Sequence, residues 1–151
     1  MTPENPKRVL FVCIGNSCRS QMAEAFARTY GSDVIVAASA GVAPAYSVAP
    51  DTARAMAAKN IELDEQFPKD LRYWAKTTFD VVVNMSGSYL PGTFGSAKVV
   101  DWDVPDPIHV DYDEHCAIRD AIERRVMMLI LELRRPPEPR FRGQGSGRLP
   151  L

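Results

Sequence analysis

A short β-branched and aromatic run, Val9-Leu10-Phe11-Val12, ends at a cysteine, and a helical pattern begins a few residues later. The stretch reads Val9-Leu10-Phe11-Val12-Cys13-Ile14-Gly15-Asn16-Ser17-Cys18-Arg19-Ser20. It is Cys-x5-Arg-Ser set between two elements. The run has the composition of a buried parallel strand. After the loop, Met22, Phe26 and Tyr30 recur at helical spacing. The loop therefore joins the carboxyl end of a strand to the amino end of a helix. In open α/β sheets that is where ligands bind.

Consecutive main-chain N–H groups at a helix N-terminus form a concave nest for anions. Ile14, Gly15, Asn16, Ser17, Cys18, Arg19 and Ser20 are the residues expected to line it. Gly15 is expected to let the backbone approach an anion closely, and Asn16 to take the left-handed conformation. Arg19 offers a planar fork that matches two oxygens of a tetrahedral oxyanion. The same field favours the thiolate of Cys13, the reactive form of a cysteine, and makes it the candidate nucleophile. Ser20 is placed to donate a hydrogen bond to that sulfur. A plain buried cysteine beside a surface arginine is the ordinary alternative. It leaves Gly-Asn, the arginine and the serine at this spacing without a reason. Nor is this a Walker A loop, which needs a lysine and a second glycine.

The segment Cys13-Ile14-Gly15-Asn16-Ser17-Cys18-Arg19-Ser20 resembles the phosphate loop of the low-molecular-weight protein tyrosine phosphatases. It equally resembles that of the thiol-linked arsenate reductases of the same fold. The resemblance extends through Ser39-Ala40-Gly41 and Phe79-Asp80-Val81-Val82-Val83 to Asp106-Pro107, over about residues 7–133. It implies that Asp106 is the general acid, with Asp103 as rival; a turn aspartate before proline is the ordinary reading of either. It places Ser39 near the phosphate loop in a hydrogen-bonding role and Tyr46 where an aromatic wall meets a substrate ring. Partial burial against the domain is the other reading of Tyr46. Many relatives carry a histidine near Gln66 that supports the loop, and this chain does not.

Other positions bear on which branch the chain resembles. Ile108-His109-Val110 follows Asp106-Pro107 where tyrosine phosphatases often have tyrosines. Gln21 stands where they usually have proline and reductases glutamine. Thioredoxin-linked reductases carry a cysteine just after the third strand, whereas this chain has Met85-Ser86 and no cysteine until Cys116. That argues against an internal disulfide relay.

A chain of 151 residues is expected to fold as one domain, residues 1–135, followed by a flexible basic tail, 136–151. Five arginines stand against Glu138 in residues 134–151. A net charge of −1 gives no bulk reason to bind nucleic acid or membrane. Three cysteines do not make a secreted disulfide scaffold, no apolar run is long enough to span a membrane, and Met1 to Pro6 has no signal core. The expected location is the cytoplasm. His109, His115, Cys116, Cys13 and Cys18 fit no zinc-ligand spacing, so no metal or cofactor is expected.

The pattern predicts an α/β fold of three layers: a doubly wound, four-stranded parallel sheet with an anion-binding loop after the first strand. Strands are expected at 8–13, 33–38, 79–84 and 97–101. Short helices are expected over Pro50–Ala58 and Lys69–Ala75. The longest is expected over Asp111–Leu133, with Asp111, Asp113 and Glu114 in its first turn and a stripe of Ile118, Ile122, Val126, Leu129 and Leu133. The expected activity is hydrolysis of a phosphomonoester, on a phosphorylated protein or a small molecule, through a cysteinyl phosphate. Arsenate reduction with an external thiol donor is the alternative, and a non-catalytic binder of phosphorylated ligands a third reading. Cys18 is the expected redox partner of Cys13.

Overall fold

In the computed structural model, which describes residues 5–136, the apolar run forms β1 (Lys7–Cys13). Helix α1 (Arg19–Gly31) leads to β2 (Ile35–Gly41), and α2 (Pro50–Ala57) follows with a proline in its first turn. Then come β3 (Val81–Asn84), β4 (Lys98–Asp101) and α3 (Tyr112–Arg134). All strand pairs are parallel, in the order β2-β1-β3-β4. The chain leaves β1 to one side for β2 and later to the other for β3. The loop after β1 thus sits at the switch point of the sheet, where a crevice opens.

Strand alternation divides the core into two layers. Val9, Phe11 and Cys13 face α1 and α3 together with Met22, Phe26, Ile118, Ile122, Val126 and Ile130. Leu10, Val12, Ala38 and Ala40 face the other way. That second face is covered not by a long helix but by the 3-10 helix Leu71–Trp74 and by Leu90, Phe94 and Ala97. The helix expected over Lys69–Ala75 is this single 3-10 turn, begun where the Asp70 carboxylate accepts from Arg72 N at 2.7 Å. Strand β2 lies later than expected because its pairing with β1 runs on to Cys13↔Gly41. No helix among the described residues is long and apolar enough to cross a membrane. Residues 137–151 of the expected tail lie outside the described residues.

Helix α3 differs from expectation at both ends. Asp111 is its N-cap, accepting from Glu114 N at 2.8 Å, so only Asp113 and Glu114 occupy the first turn. The fully buried stripe is Ile118, Ile122, Val126 and Ile130, while Leu129 and Leu133 lie half-buried on its flank. The reason is Gly31. A Cβ there would stand 2.6 Å from Ile130 Cγ1, so Ile130 fits against α1 only because Gly31 has no side chain. Gly31→Ala therefore overpacks this crossing. Overpacking costs about 1–3 kcal/mol and outweighs the helix-propensity gain of at most about 1 kcal/mol. The expected result is a lower urea midpoint, with the Gly31→Ala/Ile130→Ala double variant losing less than the sum of the two single losses. Strictly additive losses would show that the side chains do not compete.

Candidate active site

The loop between β1 and α1 pairs every one of its carbonyls. Cys13 O accepts from Val42 N at 3.2 Å, Ile14 O from Ala43 N at 2.8 Å and Gly15 O from Ala45 N at 2.8 Å. Asn16 O accepts from Gln21 Nε2 at 2.9 Å, Ser17 O from Ala49 N at 3.1 Å and Cys18 O from Met22 N at 3.0 Å. The N–H groups are treated oppositely. Among the described residues none of the main-chain N–H groups of residues 14–18 finds an acceptor, and Arg19 and Ser20 open α1, where N–H groups are free by the nature of a helix end. A loop with its acceptors used and its donors spare is a nest for an anion.

Two residues hold that shape. Asn16 has φ 51°, the left-handed conformation expected of it. Its side chain donates to Ser20 Oγ at 2.7 Å and accepts from Lys69 N at 2.9 Å, and the fixed polarity of Lys69 N–H settles which amide atom is which. Gly41 is the second: a Cβ there would lie 2.6 Å from Ile14 O and 2.8 Å from Asn16 N. The need for a bare backbone falls at Gly41 rather than at Gly15. A Cβ at Gly15 would meet only ordinary contacts, the nearest being Ser17 Oγ at 3.4 Å.

Cys13 ends β1 with its sulfur 2.9 Å from Ser20 Oγ. Because Ser20 Oγ already accepts from Asn16, its own hydrogen is free to point at the sulfur, where it stabilises a thiolate. Arg19 is 5 % exposed. Its Nη1 donates to Met85 O at 2.6 Å and Val104 O at 3.0 Å, beyond the ends of β3 and β4. That leaves Nη2 and Nε. Nε is a buried polar side-chain atom with no partner, the sole one among the described residues. An unpaired buried donor costs about 1–3 kcal/mol. An oxyanion taken by the fork of Nε and Nη2 would relieve it.

Asp106 stands at this fork. Its Oδ2 lies 3.6 Å from Arg19 Nη2, and its Oδ1 accepts from Ile108 N at 3.2 Å, capping the 3-10 helix Pro107–His109. Asp103 instead lines a groove with Asn84, Tyr89 and Trp102. Geometry thus separates the two candidate acids. Tyr46 is fully exposed, which removes the alternative of burial. It rides on the segment Val42–Ala49 that is sewn to the loop carbonyls, and so stands at the rim with exposed Ile14.

The expected Ser39 support is arranged differently, and Gln66 makes a contact where the supporting histidine is missing. The Ser39 hydroxyl donates to Glu24 Oε1 at 2.5 Å and not to the phosphate loop, because strand alternation aims it across the sheet at α1. Gln66 reaches the loop through a neighbour. Its Nε2 donates to Gln21 Oε1 at 2.6 Å, and Gln21 Nε2 in turn holds Asn16 O and Phe67 O. Cys18 faces Ser17 and Thr52, and burial pushes its thiol pKa up. Cys116 sits on α3 beside Arg119 and Tyr112. The turn after β3 is closed by side chains. Asn84 Oδ1 accepts from Ser86 N at 2.9 Å and Ser86 Oγ at 2.7 Å, and Asn84 Nδ2 donates to Ser88 O at 2.7 Å. No group of three His, Cys, Asp or Glu residues suited to a metal ion occurs among the described residues.

Comparison with known proteins agrees with this geometry. The family model for low molecular weight phosphotyrosine protein phosphatase matches residues 8–138. An arsenate reductase of Bacillus cereus (strain 03BB102) is 35 % identical over 126 residues, covering 82 % of this chain and 93 % of the relative. A solved structure of an arsenate reductase in the phosphate binding state has a TM-score of 0.77 at 32 % identity, covering 84 % of this chain and 98 % of its own. The YwlE arginine phosphatase from Geobacillus stearothermophilus has a TM-score of 0.73 at 25 % identity, covering 85 % and 93 %.

The Gly41 contact makes a direct test of the nest. Gly41→Ala forces its methyl group into the loop backbone, which has no freedom to yield while its carbonyls are held. Inorganic phosphate binding, followed by calorimetry, is expected to weaken at least about 10-fold, as when a site is misplaced by a fraction of an ångström. The circular dichroism of the fold should be kept. Unchanged phosphate affinity would show that the loop adopts its shape without this close approach.

Proposed function

The chain belongs to the low molecular weight phosphotyrosine protein phosphatase family, and from that premise we propose that it hydrolyses phosphomonoesters through a cysteinyl-phosphate intermediate. The Cys13 thiolate attacks phosphorus in line with the departing oxygen. Asp106 gives its proton to that oxygen as the P–O bond breaks. The N–H groups of residues 14–19 and the Nε and Nη2 of Arg19 hold the equatorial oxygens, whose charge is greatest in the transition state. In the second step Asp106 takes a proton from water, which attacks phosphorus and expels the Cys13 thiolate. The Ser20 hydroxyl stabilises that leaving sulfur. The observation that carries the proposal is the Asp106 carboxyl held at the Arg19 fork, above a loop with its N–H groups free. The substrate class is a phosphorylated protein or small phosphomonoester. A reducing compartment such as the cytoplasm keeps Cys13 competent.

The arsenate reductases among the relatives favour a second reading. Arsenate has the shape of phosphate, and Cys13 would attack arsenic with loss of water. An external low-molecular-weight thiol would then attack the Cys13 sulfur, forming a mixed disulfide as the electron pair reduces arsenic. The polar turn Asn84–Ser88 offers no cysteine for an internal relay.

Asp106→Asn is expected to lower kcat/KM, which reports the first step, by about 100-fold or more for phenyl phosphate and far less for nitrophenyl phosphate, since a basic leaving oxygen needs the proton most. Asp103→Asn should show no such split; if it shows the split and Asp106→Asn does not, the acid is Asp103. Faster turnover of arsenate with a thiol donor than of any aryl phosphate would make the second reading the right one.

Redox control is part of the same proposal. A Cys13 sulfenic acid condenses with the Cys18 thiol, releasing water and forming a disulfide. Peroxide inactivation should then be reversed by dithiothreitol in the wild type and not in Cys18→Ser. Equal recovery of both proteins, or a mapped disulfide using Cys116, would refute it.

A further inference from the structure

Two buried polar side chains outside the loop have no part in the mechanism so far. Thr52 on α2 is 0 % exposed and His115 on α3 is 2 % exposed. They touch each other, Thr52 Oγ1 to His115 Nε2 at 2.9 Å. Each also has a partner at the active site. The Thr52 hydroxyl meets the Cys18 thiol of the phosphate loop. The His115 ring meets the main chain of Pro107, the residue after Asp106. Proline has no N–H, so the contact is to its carbonyl and the ring donates.

One arrangement of hydrogens satisfies the whole set. Burial pushes the His115 pKa down, so the ring is neutral and carries one N–H. Pro107 O takes that hydrogen at Nδ1, which leaves Nε2 as an acceptor. Thr52 O–H then donates to Nε2, and the Thr52 oxygen lies beside the Cys18 thiol. Burial pushes the Cys18 pKa up, which keeps that thiol neutral. The result is a line of buried polar contacts from the phosphate loop to the peptide that follows Asp106, with the Thr52–His115 hydrogen bond at its centre.

The acid segment has few other ties. After Trp102 N donates to Asn84 O at 3.0 Å, the chain leaves the sheet, and its carbonyls at Val104 and Pro107 become its anchors. Arg19 grips the first and His115 the second, with Asp106 between them. His115 is a rigid grip, because its own N–H donates to Asp111 O at 2.9 Å in the first turn of α3.

We propose that Thr52 and His115 are positioning residues that fix the Asp106 carboxyl over the phosphate loop and make its placement depend on that of the loop. The inference rests on Asp106 being the general acid. Thr52→Val removes the hydroxyl at constant shape, and His115→Phe fills the space without a donor or acceptor. Each is expected to lower kcat/KM, which reports the first step, about 10-fold for phenyl phosphate, a part of what a misplaced general acid costs, and less than about threefold for nitrophenyl phosphate. The inhibition constant of inorganic phosphate should stay within about twofold, because the anion seat itself is untouched. His115→Gln, which offers both a donor and an acceptor, should recover part of the loss. In an Asp106→Asn background neither Thr52→Val nor His115→Phe should lower kcat/KM further. Equal losses on both substrates, or further loss in the Asp106→Asn background, would overturn the proposal and leave the pair a packing feature. Asp106→Asn alone distinguishes the two levels. If it fails to separate the substrates, the acid assignment falls and this inference with it. If it separates them while the Thr52 and His115 variants do not, only the positioning role falls.

Discussion

A main-chain loop can hold an anion only if its carbonyls are turned away and satisfied elsewhere. A carbonyl left near the seat would repel the anion, and one buried without a donor would cost free energy of its own. Six successive carbonyls from Cys13 to Cys18 meet this condition in the present fold. Four of their donors come from the segment Val42–Ala49, one is the Gln21 side chain, and the last is Met22 N within the first turn of α1. The long β2 strand, the close approach of Gly41 and the Asn16–Lys69 contact all serve this accounting.

Arg19 extends the same logic from the loop to the sheet. Its Nη1 ties the carbonyls of Met85 and Val104 to the head of α1. One guanidinium thus joins the ends of β3 and β4 to a loop that belongs to β1. Hydrogen bonds from a charged donor are worth about 1.5–3 kcal/mol each, so this tie also fixes where the fork can point. A lysine could match the charge but not this geometry, because its ammonium has no second, separately directed pair of donors.

The local geometry of the candidate site is legible in the sequence; its tertiary supports are not. Cys13, Asn16, Arg19 and Ser20 act within one loop and one helical turn, so their spacing carries their geometry. The left-handed Asn16 and the Ser20–Cys13 contact follow from that spacing. Asp106 is remote in sequence and entered through the family resemblance, and its approach to Arg19 is a property of the folded chain. Gly41, Gln66 acting through Gln21, and the Thr52–His115 pair depend on which elements lie side by side, for which no local pattern exists. The family resemblance assigns Ser39 to the loop, whereas its hydroxyl serves Glu24, because an alternating strand aims side chains to one face or the other. The α3 stripe differs from the apolar pattern for a similar reason: Leu129, Ile130 and Leu133 are all apolar, and the missing side chain at Gly31 makes room for Ile130.

Phosphate and arsenate chemistry diverge after the nucleophile has attacked, since the same seat serves both oxyanions. In the proposed chemistry, what separates them is the group that resolves the Cys13 adduct, either water activated by a base or a second thiol. An internal thiol has to travel from its own position to Cys13, which asks for a segment that opens at little cost. The turn after β3 is the opposite of such a segment, with Asn84 bonded to Ser86, Ser88 and Asp101. A base, by contrast, needs to be held still, and Asp106, the proposed one, lies between the Val104 carbonyl held by Arg19 and the Pro107 main chain beside His115. A fixed carboxyl beside a closed turn favours resolution by water. A thiol would have to arrive from solution, over the rim formed by Ile14 and Tyr46.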